Sequence, residues 1–317
     1  MKHMSKTRHL VDPEIQPMLE MPDIDLTPET LADVRANPLF SGEGLPPPPF
    51  PATTAWAKVE GGPDVKLVVL NPPSQRTKRA AILHLHGGGM VVGSADYAGL
   101  TKQPLALEHD CVIVSVEYRL APETPFPGAQ EDNYAGLLWL AEHAEELGVD
   151  PARIVVFGES AGGGLAASLA LMARDRGGPK LAGQVLIYPM LDWRTGGPED
   201  QWKNAHTGEF IWNRDKNQFG WNALRGDYAP ADERKGWFSP ALADDLAGLP
   251  PTYMITGALD LFLDEDLAYA RRLIDCGVQC ELHVYPGAIH AFEMVPDTTL
   301  AEQAGMDLRR GLGRLLG

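Results

Sequence analysis

The chain has 317 residues, of which 44 % are hydrophobic, and its formal net charge is −16 at pH 7. That length and hydrophobic content suffice for one large α/β domain. Phosphate binding needs a basic surface, so the acidic balance argues against nucleic acid as a partner and disfavours strongly anionic substrates. No apolar run approaches the roughly 18 residues that cross a membrane, so no membrane partner is expected.

Targeting and redox signals are sparse. The first eight residues are polar and lack the apolar segment of a secretory signal. The three cysteines, Cys111, Cys276 and Cys280, form no disulfide framework and show no metal-ligand spacing. We therefore expect a cytoplasmic protein with no metal and no other cofactor.

Residues 1–55 are proline-rich, and Thr27 as N-cap with Pro28 at the first position predicts a helix from Pro28 to Ala36. From Val59 onward, apolar strands alternate with helical stretches, which predicts a mostly parallel sheet covered on both faces. The predicted strands are Val65–Leu70, Ile82–Leu85, Val112–Val116, Ile154–Phe157, Val185–Tyr188, Tyr253–Ile255 and Leu282–Tyr285. The predicted helices are Asp132–Leu147, Ala161–Arg176, Asp264–Asp275 and Thr299–Leu316.

The first chemical motif, His86-Gly87-Gly88-Gly89, closes an apolar strand. Successive glycines leave backbone N–H groups uncovered by any Cβ, so these groups can point at a developing negative charge. The alternative is a flexible loop without a ligand. We interpret the motif as the oxyanion loop that accompanies a nucleophile elbow.

Charged residues between this loop and the next motif are interpreted as structural. Arg119 and Glu123 are expected to pair and shape their loop. Asp96 is expected to brace the oxyanion loop or cap the next helix, and Asp132 to start a helix.

The second motif, Gly158-Glu159-Ser160-Ala161-Gly162, lies between the strand Ile154–Phe157 and a helix that begins near Ala161. A sharp strand-to-helix turn exposes a serine Oγ, and flanking glycines permit that turn. The helix N-terminus favours the oxyanion formed on attack. Alone, the pattern also fits a glycine-rich packing turn, but both motifs together favour Ser160 as a nucleophile.

An aromatic segment, residues 193–238, interrupts the alternation and precedes the next strand. It contains five of the seven tryptophans, at positions Trp193, Trp202, Trp212, Trp221 and Trp237. An insertion there would lie over the carboxyl edge of the sheet, above Ser160. Most of these rings are expected to pack the segment onto the core, and a minority to line an apolar acyl or alcohol pocket.

The remaining partners follow in the order Ser, acid, His. Asp260 comes after a predicted strand, and His290 comes after the next one. Both therefore lie beyond carboxyl ends of strands, where a parallel sheet places its site. His290 would accept the Ser160 proton while Asp260 orients the imidazole. Asp264 and Glu265 are assigned to the first turn of the following helix.

With these motifs, the chain resembles the bacterial hormone-sensitive-lipase-like esterases, a branch of the α/β-hydrolases. The resemblance rests on the two glycine motifs and on the segments Tyr118–Glu123, Tyr188-Pro189, Ser239-Pro240, Asp260–Glu265 and Pro286–Phe292. It implies an α/β-hydrolase fold in one domain over 1–317, with a helical cap from about 1–55 and 193–238 and a core from about 56–192 and 239–317.

The same resemblance implies that the N–H groups of Gly88, Gly89 and Ala161 hold the oxyanion. His86, Gly87, Gly158, Glu159 and Gly162 would support the two motifs. Two departures stand out. Leu261 and Phe262 follow Asp260 where the family usually has Pro-Leu, and Ala291 replaces the usual glycine after the histidine.

The sequence thus predicts a serine carboxylesterase that hydrolyses small-molecule esters with short or medium acyl chains through an acyl-enzyme. An amidase, lactonase or carbamate hydrolase with the same triad stays open as an alternative. A zinc or thiol hydrolase lacks its motif here, and a non-catalytic hormone-binding module would typically lack the histidine. A homodimer through a sheet edge or the last helix is a further possibility.

Overall fold

One eight-stranded sheet forms the centre of the computed structural model, which describes residues 5–20, 25–37 and 46–317. The strands are β1 Thr53–Ala57, β2 Val65–Leu70, β3 Arg79–Leu85, β4 Val112–Val116, β5 Val149–Glu159, β6 Gly183–Ile187, β7 Thr252–Gly257 and β8 Cys280–Tyr285. Their order across the sheet is β1-β2-β4-β3-β5-β6-β7-β8. Pairing is parallel from β4 through β8, and β2 is antiparallel to both of its neighbours. The predicted mostly parallel sheet is confirmed.

The first strand, β1, was not predicted. Its sequence, Thr-Thr-Ala-Trp-Ala, contains no apolar run, and only Ala57 is buried. Residues 53–55 therefore belong to the sheet, although the prediction assigned them to the N-terminal arm. Other parts of that arm, residues 1–4, 21–24 and 38–45, lie outside the described residues.

Helices cover both faces of the sheet. They are α1 Leu31–Arg35, α2 Ala95–Thr101, α3 Gln103–Glu108, α4 Gly128–Glu142, α5 Ala161–Asp175, α6 Arg214–Arg225, α7 Lys235–Phe238, α8 Leu263–Asp275 and α9 Thr299–Leu316. The buried side chains of α4, α5 and α8 share one core cluster. Those of α2, α3 and α9 belong to the cluster on the opposite face. Strand side chains alternate between the two faces, so the central strands are apolar throughout.

The charged residues that were interpreted as structural have other partners and roles than those predicted. Helix α4 begins at Gly128, so Asp132 does not start it but is buried within it and binds the Arg119 side chain and backbone N–H. Glu123 pairs with Arg35 rather than with Arg119. Ser94, and not Asp96, caps α2, while Asp96 binds Lys66 on the surface.

The helix predicted from Pro28 to Ala36 is confirmed over a shorter range, Leu31–Arg35. The predicted cap Thr27 acts as one, because its side chain accepts a hydrogen bond from the Thr30 N–H at 3.3 Å and its backbone oxygen accepts one from the Leu31 N–H at 3.0 Å. Leu31 and Val34 are buried, so the short helix is held by its apolar face rather than by its own propensity.

Parallel pairing places three loops along one edge of the sheet. Ser160 follows β5, Asp260 follows β7 and His290 follows β8. The segment between β6 and β7 contributes helices α6 and α7, and α6 lies against the loop that follows β3. The division into cap and core stays a prediction.

Candidate active site

The structure brings Ser160, His290 and Asp260 into one hydrogen-bonded chain. The Ser160 Oγ lies 2.9 Å from His290 Nε2, and His290 Nδ1 lies 2.7 Å from Asp260 Oδ2. All three side chains are buried. A carboxylate can accept only, so Nδ1 carries the proton and Nε2 is free to accept one from the serine. Such an arrangement can activate a hydroxyl for attack on a carbonyl carbon.

Ser160 lies at the tip of a strained turn. Its φ of 56° and ψ of −120° are unusual for a residue with a Cβ. The turn also brings backbones very close together. A Cβ on Gly158 would lie 2.1 Å from the Gly162 oxygen, and one on Gly162 would lie 2.0 Å from the Leu85 oxygen. Both motif glycines are therefore required by close packing around the serine.

The imidazole of His290 is enclosed by aromatic rings. Tyr188 lies 4.6 Å from it between ring centroids, and Phe262 meets it edge-on at 5.4 Å. The other oxygen of Asp260 accepts the Phe262 N–H at 3.0 Å. The Phe262 backbone N–H thus orients the carboxylate, and its ring, which is the departure from the usual acid motif at this position, packs on the histidine.

The loop after β3 holds its peptide groups by specific hydrogen bonds. His86 Nδ1 donates to the Gly87 oxygen at 2.8 Å, and burial lowers the pKa of His86 to about 4, so the ring stays neutral. The Gly88 oxygen accepts from the N–H groups of Val91 and Val92. Because a trans peptide points its C=O and the next N–H in opposite directions, these bonds fix the N–H directions of Gly88 and Gly89.

Three N–H groups near the serine are available to a ligand. Those of Gly88, Gly89 and Ala161 donate to no acceptor within the described part of the chain. Ala161 is the first residue of α5, so its N–H belongs to the positive end of a fifteen-residue helix. Together they form a set of donors suited to an oxyanion.

Glu159, the variable residue of the nucleophile motif, is bound inside the fold. Its carboxylate pairs with Lys102 and lies 2.9 Å from His84 Nε2. Burial alone would raise the pKa of Glu159, but Lys102 and His84 outweigh it and hold that pKa below its usual value. His84 in turn contacts Ser115 at 2.9 Å. These contacts secure the backbone next to Ser160.

Two carboxylates near the site have roles that the sequence did not reveal. Glu265 is in the first turn of α8 as expected, but its carboxylate is buried and accepts from the N–H groups of Leu191 and Asp192. It thereby ties α8 to the loop that leads into residues 193–238. Glu293 accepts a hydrogen bond from the Tyr188 hydroxyl, which holds the ring that packs on His290.

Trp212 is the aromatic residue of the 193–238 segment that reaches the site. A Cβ on Gly89 would lie 2.3 Å from Trp212 Cη2, so the indole lies directly on this glycine. Its ring is also 6.3 Å from His290, and its Nε1 donates to Asn217 at 3.1 Å. Trp221, by contrast, is fully buried in the core. Spacing along the sequence could not have separated these two tryptophans.

In residues 5–20, 25–37 and 46–317, no group of three or more His, Cys, Asp or Glu side chains is arranged so that it could hold a metal ion. Within the same residues, no helix is both long and apolar enough to cross a membrane. The expected homodimer and cytoplasmic location stay predictions.

Comparisons with known proteins agree with this architecture. A family model described as the alpha/beta hydrolase fold matches residues 82–294. A carboxylesterase of Mycobacterium tuberculosis, NlhH, is 33 % identical over 87 % of this chain and 91 % of its own length. Ethyl acetate hydrolase of Pseudomonas putida is 37 % identical over 67 % of this chain and 66 % of its own. The solved structure of a bacterial heroin esterase has a TM-score of 0.90 at 36 % identity, covering 98 % of this chain and 99 % of that one.

The chain therefore belongs to the α/β-hydrolases, in their hormone-sensitive-lipase-like branch. Its enzymatic class follows from the same relatives. It is a carboxylic ester hydrolase, as the sequence predicted.

The left-handed conformation of Ala291 yields a stability prediction. Ala291 has φ 61° and ψ 27°, which favours glycine over alanine. Ala291→Gly should raise the free energy of unfolding by about 0.5–1 kcal/mol, because relief of this strain exceeds the added entropy of the unfolded chain. Urea unfolding followed by fluorescence measures the change.

Ala288→Gly is the matched control. Ala288 is fully buried and has no positive φ, so glycine there should lower stability by roughly 1 kcal/mol. If both variants lost stability equally, strain at Ala291 would be ruled out.

Proposed function

We propose that this esterase works through Ser160, His290 and Asp260, and the observation that carries the proposal is their unbroken hydrogen-bond chain. Ser160 Oγ attacks the ester carbonyl carbon while His290 Nε2 takes its proton. His290 then gives that proton to the departing alkoxide, which leaves as the alcohol, and the acyl group stays bonded to Ser160 Oγ. Water attacks this acyl group while His290 takes one of its protons. His290 returns that proton to Ser160 Oγ as the acyl C–O bond breaks, which releases the carboxylic acid and the free serine.

The N–H groups of Gly88, Gly89 and Ala161 hold the negative oxygen of each tetrahedral intermediate. Two observations support this role. Ala161 follows the serine in the chain, and Gly88 and Gly89 lie in the loop that packs against it through Gly87. None of the three N–H groups donates a hydrogen bond within the described residues. Preorganised donors of this kind cost no reorganisation when the charge develops. Asp260 orients His290 and stabilises its charged form.

The substrates in this proposal are esters of short or medium acyl chains. Trp212 supports it, because the indole lies over Gly89 and beside His290, where it limits the space around a bound carbonyl. A cap helix also approaches closely, since a Cβ on Gly220 of α6 would lie 2.6 Å from the Gly89 oxygen. The name of the Pseudomonas putida relative, ethyl acetate hydrolase, is consistent with a small acyl group.

Hydrolysis of p-nitrophenyl esters from C2 to C12 tests this function. Wild type should show a maximum at C4 to C6, and Ser160→Ala should lower kcat by about 10⁴-fold or more, since the acyl-enzyme route is lost. Circular dichroism checks that the variant is folded. An active Ser160→Ala would contradict the assignment of the nucleophile. A folded wild type that cleaves matched amides but not esters would move the proposal to amide substrates.

Trp212→Ala should shift the chain-length preference. Removing the indole opens space beside Gly89 and His290, so the ratio of kcat/KM for C10 to that for C4 should rise about tenfold. Trp202→Ala is the matched control, because this tryptophan of the same segment is 40 % exposed. The proposal on Trp212 fails if its ratio stays at the wild-type value or if Trp202→Ala changes it equally.

A further inference from the structure

Arg35 connects the N-terminal arm to the loop that carries Gly88 and Gly89. It is the last residue of α1, whose buried residues Leu31 and Val34 share the core cluster that contains Val91 and Val92. The Arg35 Nε donates to the Val91 oxygen at 2.8 Å. One side chain of the arm therefore binds the backbone of the candidate oxyanion loop directly.

The rest of the guanidinium binds the segment that supports this loop. One terminal nitrogen donates to the Ala121 oxygen at 2.9 Å, and both bind the Glu123 carboxylate at 2.7 and 2.9 Å. The Ala121 N–H in turn donates to the Met90 oxygen at 3.0 Å. The planar, rigid guanidinium of Arg35 thus holds the Val91 oxygen directly and the Met90 oxygen through Ala121.

These contacts bear on the direction of one N–H group. Val91 and Val92 hold the Gly88 oxygen through their own N–H groups, at 3.1 and 3.0 Å. The Gly88 oxygen and the Gly89 N–H belong to the same peptide plane and point in opposite directions. A shift of the Val91–Val92 turn therefore rotates the Gly89 N–H away from its position.

We infer that Arg35 is a positioning residue for catalysis, which holds the Val91–Val92 turn so that the Gly89 N–H faces the oxyanion. Arg35 touches neither the substrate nor the reacting atoms in this account. The inference rests on the proposed oxyanion hole. It makes the arm a part of the catalytic architecture and not simply a cover for the core.

Steady-state kinetics of Arg35→Ala with p-nitrophenyl butyrate tests the inference. We expect kcat to fall about tenfold with KM nearly unchanged, less than the ~10²–10³-fold that loss of a whole oxyanion donor costs. Inhibition by an aryl trifluoromethyl ketone, which forms a tetrahedral oxyanion on the serine, should weaken by the same factor as kcat/KM. A merely structural contact would not couple these two losses.

Three further variants separate Arg35 from general effects of the arm. Arg35→Lys keeps the charge but cannot reproduce the fork, so it should recover only part of kcat. Glu123→Gln leaves the bonds from Arg35 to the Val91 and Ala121 oxygens, and Arg8→Ala removes an exposed ion pair with Glu20 elsewhere in the arm. Both should stay within about twofold of wild-type kcat, as exposed charges usually do.

Several results would overturn the inference. These are a wild-type kcat in Arg35→Ala, a change confined to KM, or an equal loss of kcat in Arg8→Ala. If Arg35→Ala does not fold, the inference is overturned by an Arg35→Lys variant that keeps the wild-type kcat and the wild-type inhibition by the ketone. An active Ser160→Ala would instead refute the proposed function, so the two failures are distinguishable.

Discussion

Two hydrogen bonds at His290 are the interaction on which the rest of the site depends, because they join residues that lie 130 and 30 positions apart in the chain. Each partner stands beyond the carboxyl end of a parallel strand, so the sheet itself brings them to one edge. The imidazole can bridge serine and carboxylate only in one tautomer and one ring orientation. The Asp260 carboxylate selects the tautomer, and Tyr188 and Phe262 hold the ring orientation by packing against the imidazole.

Two residues near these hydrogen bonds have strained backbone conformations that are held by the groups packed around them. Ser160 and Ala291 both adopt positive φ, one at the proposed nucleophile and one directly after the histidine. Such conformations persist only where the surroundings over-determine them. At Ser160 those surroundings are the two close-packed glycines and the Glu159 carboxylate bound to Lys102 and His84. Elements of the core, the arm and the 193–238 segment all contact the loops that form the site.

The sequence predicted the fold and the placement of Ser160, Asp260 and His290 beyond the ends of strands, because each belongs to a local pattern of strand, turn and helix or strand and loop. It failed where the partner is distant. Arg119 was paired with Glu123, four residues away, whereas the fold gives it Asp132 and gives Glu123 to Arg35, 88 residues earlier. Likewise, nothing in the spacing of the tryptophans distinguishes Trp212 over Gly89 from Trp221 in the core. Strand β1 was missed because Thr53–Ala57 has no apolar run.

Mass spectrometry of the protein inactivated by diethyl p-nitrophenyl phosphate tests the central claim most directly. The account predicts one diethylphosphoryl group per chain, bonded to Ser160 Oγ, with p-nitrophenolate released and activity lost in proportion to labelling. Fragmentation of the peptide after Arg153 separates Ser160 from Ser168, whose hydroxyl is bound to the Trp237 oxygen. Complete inactivation with the label on any other residue, or with no label, would contradict Ser160 as the nucleophile.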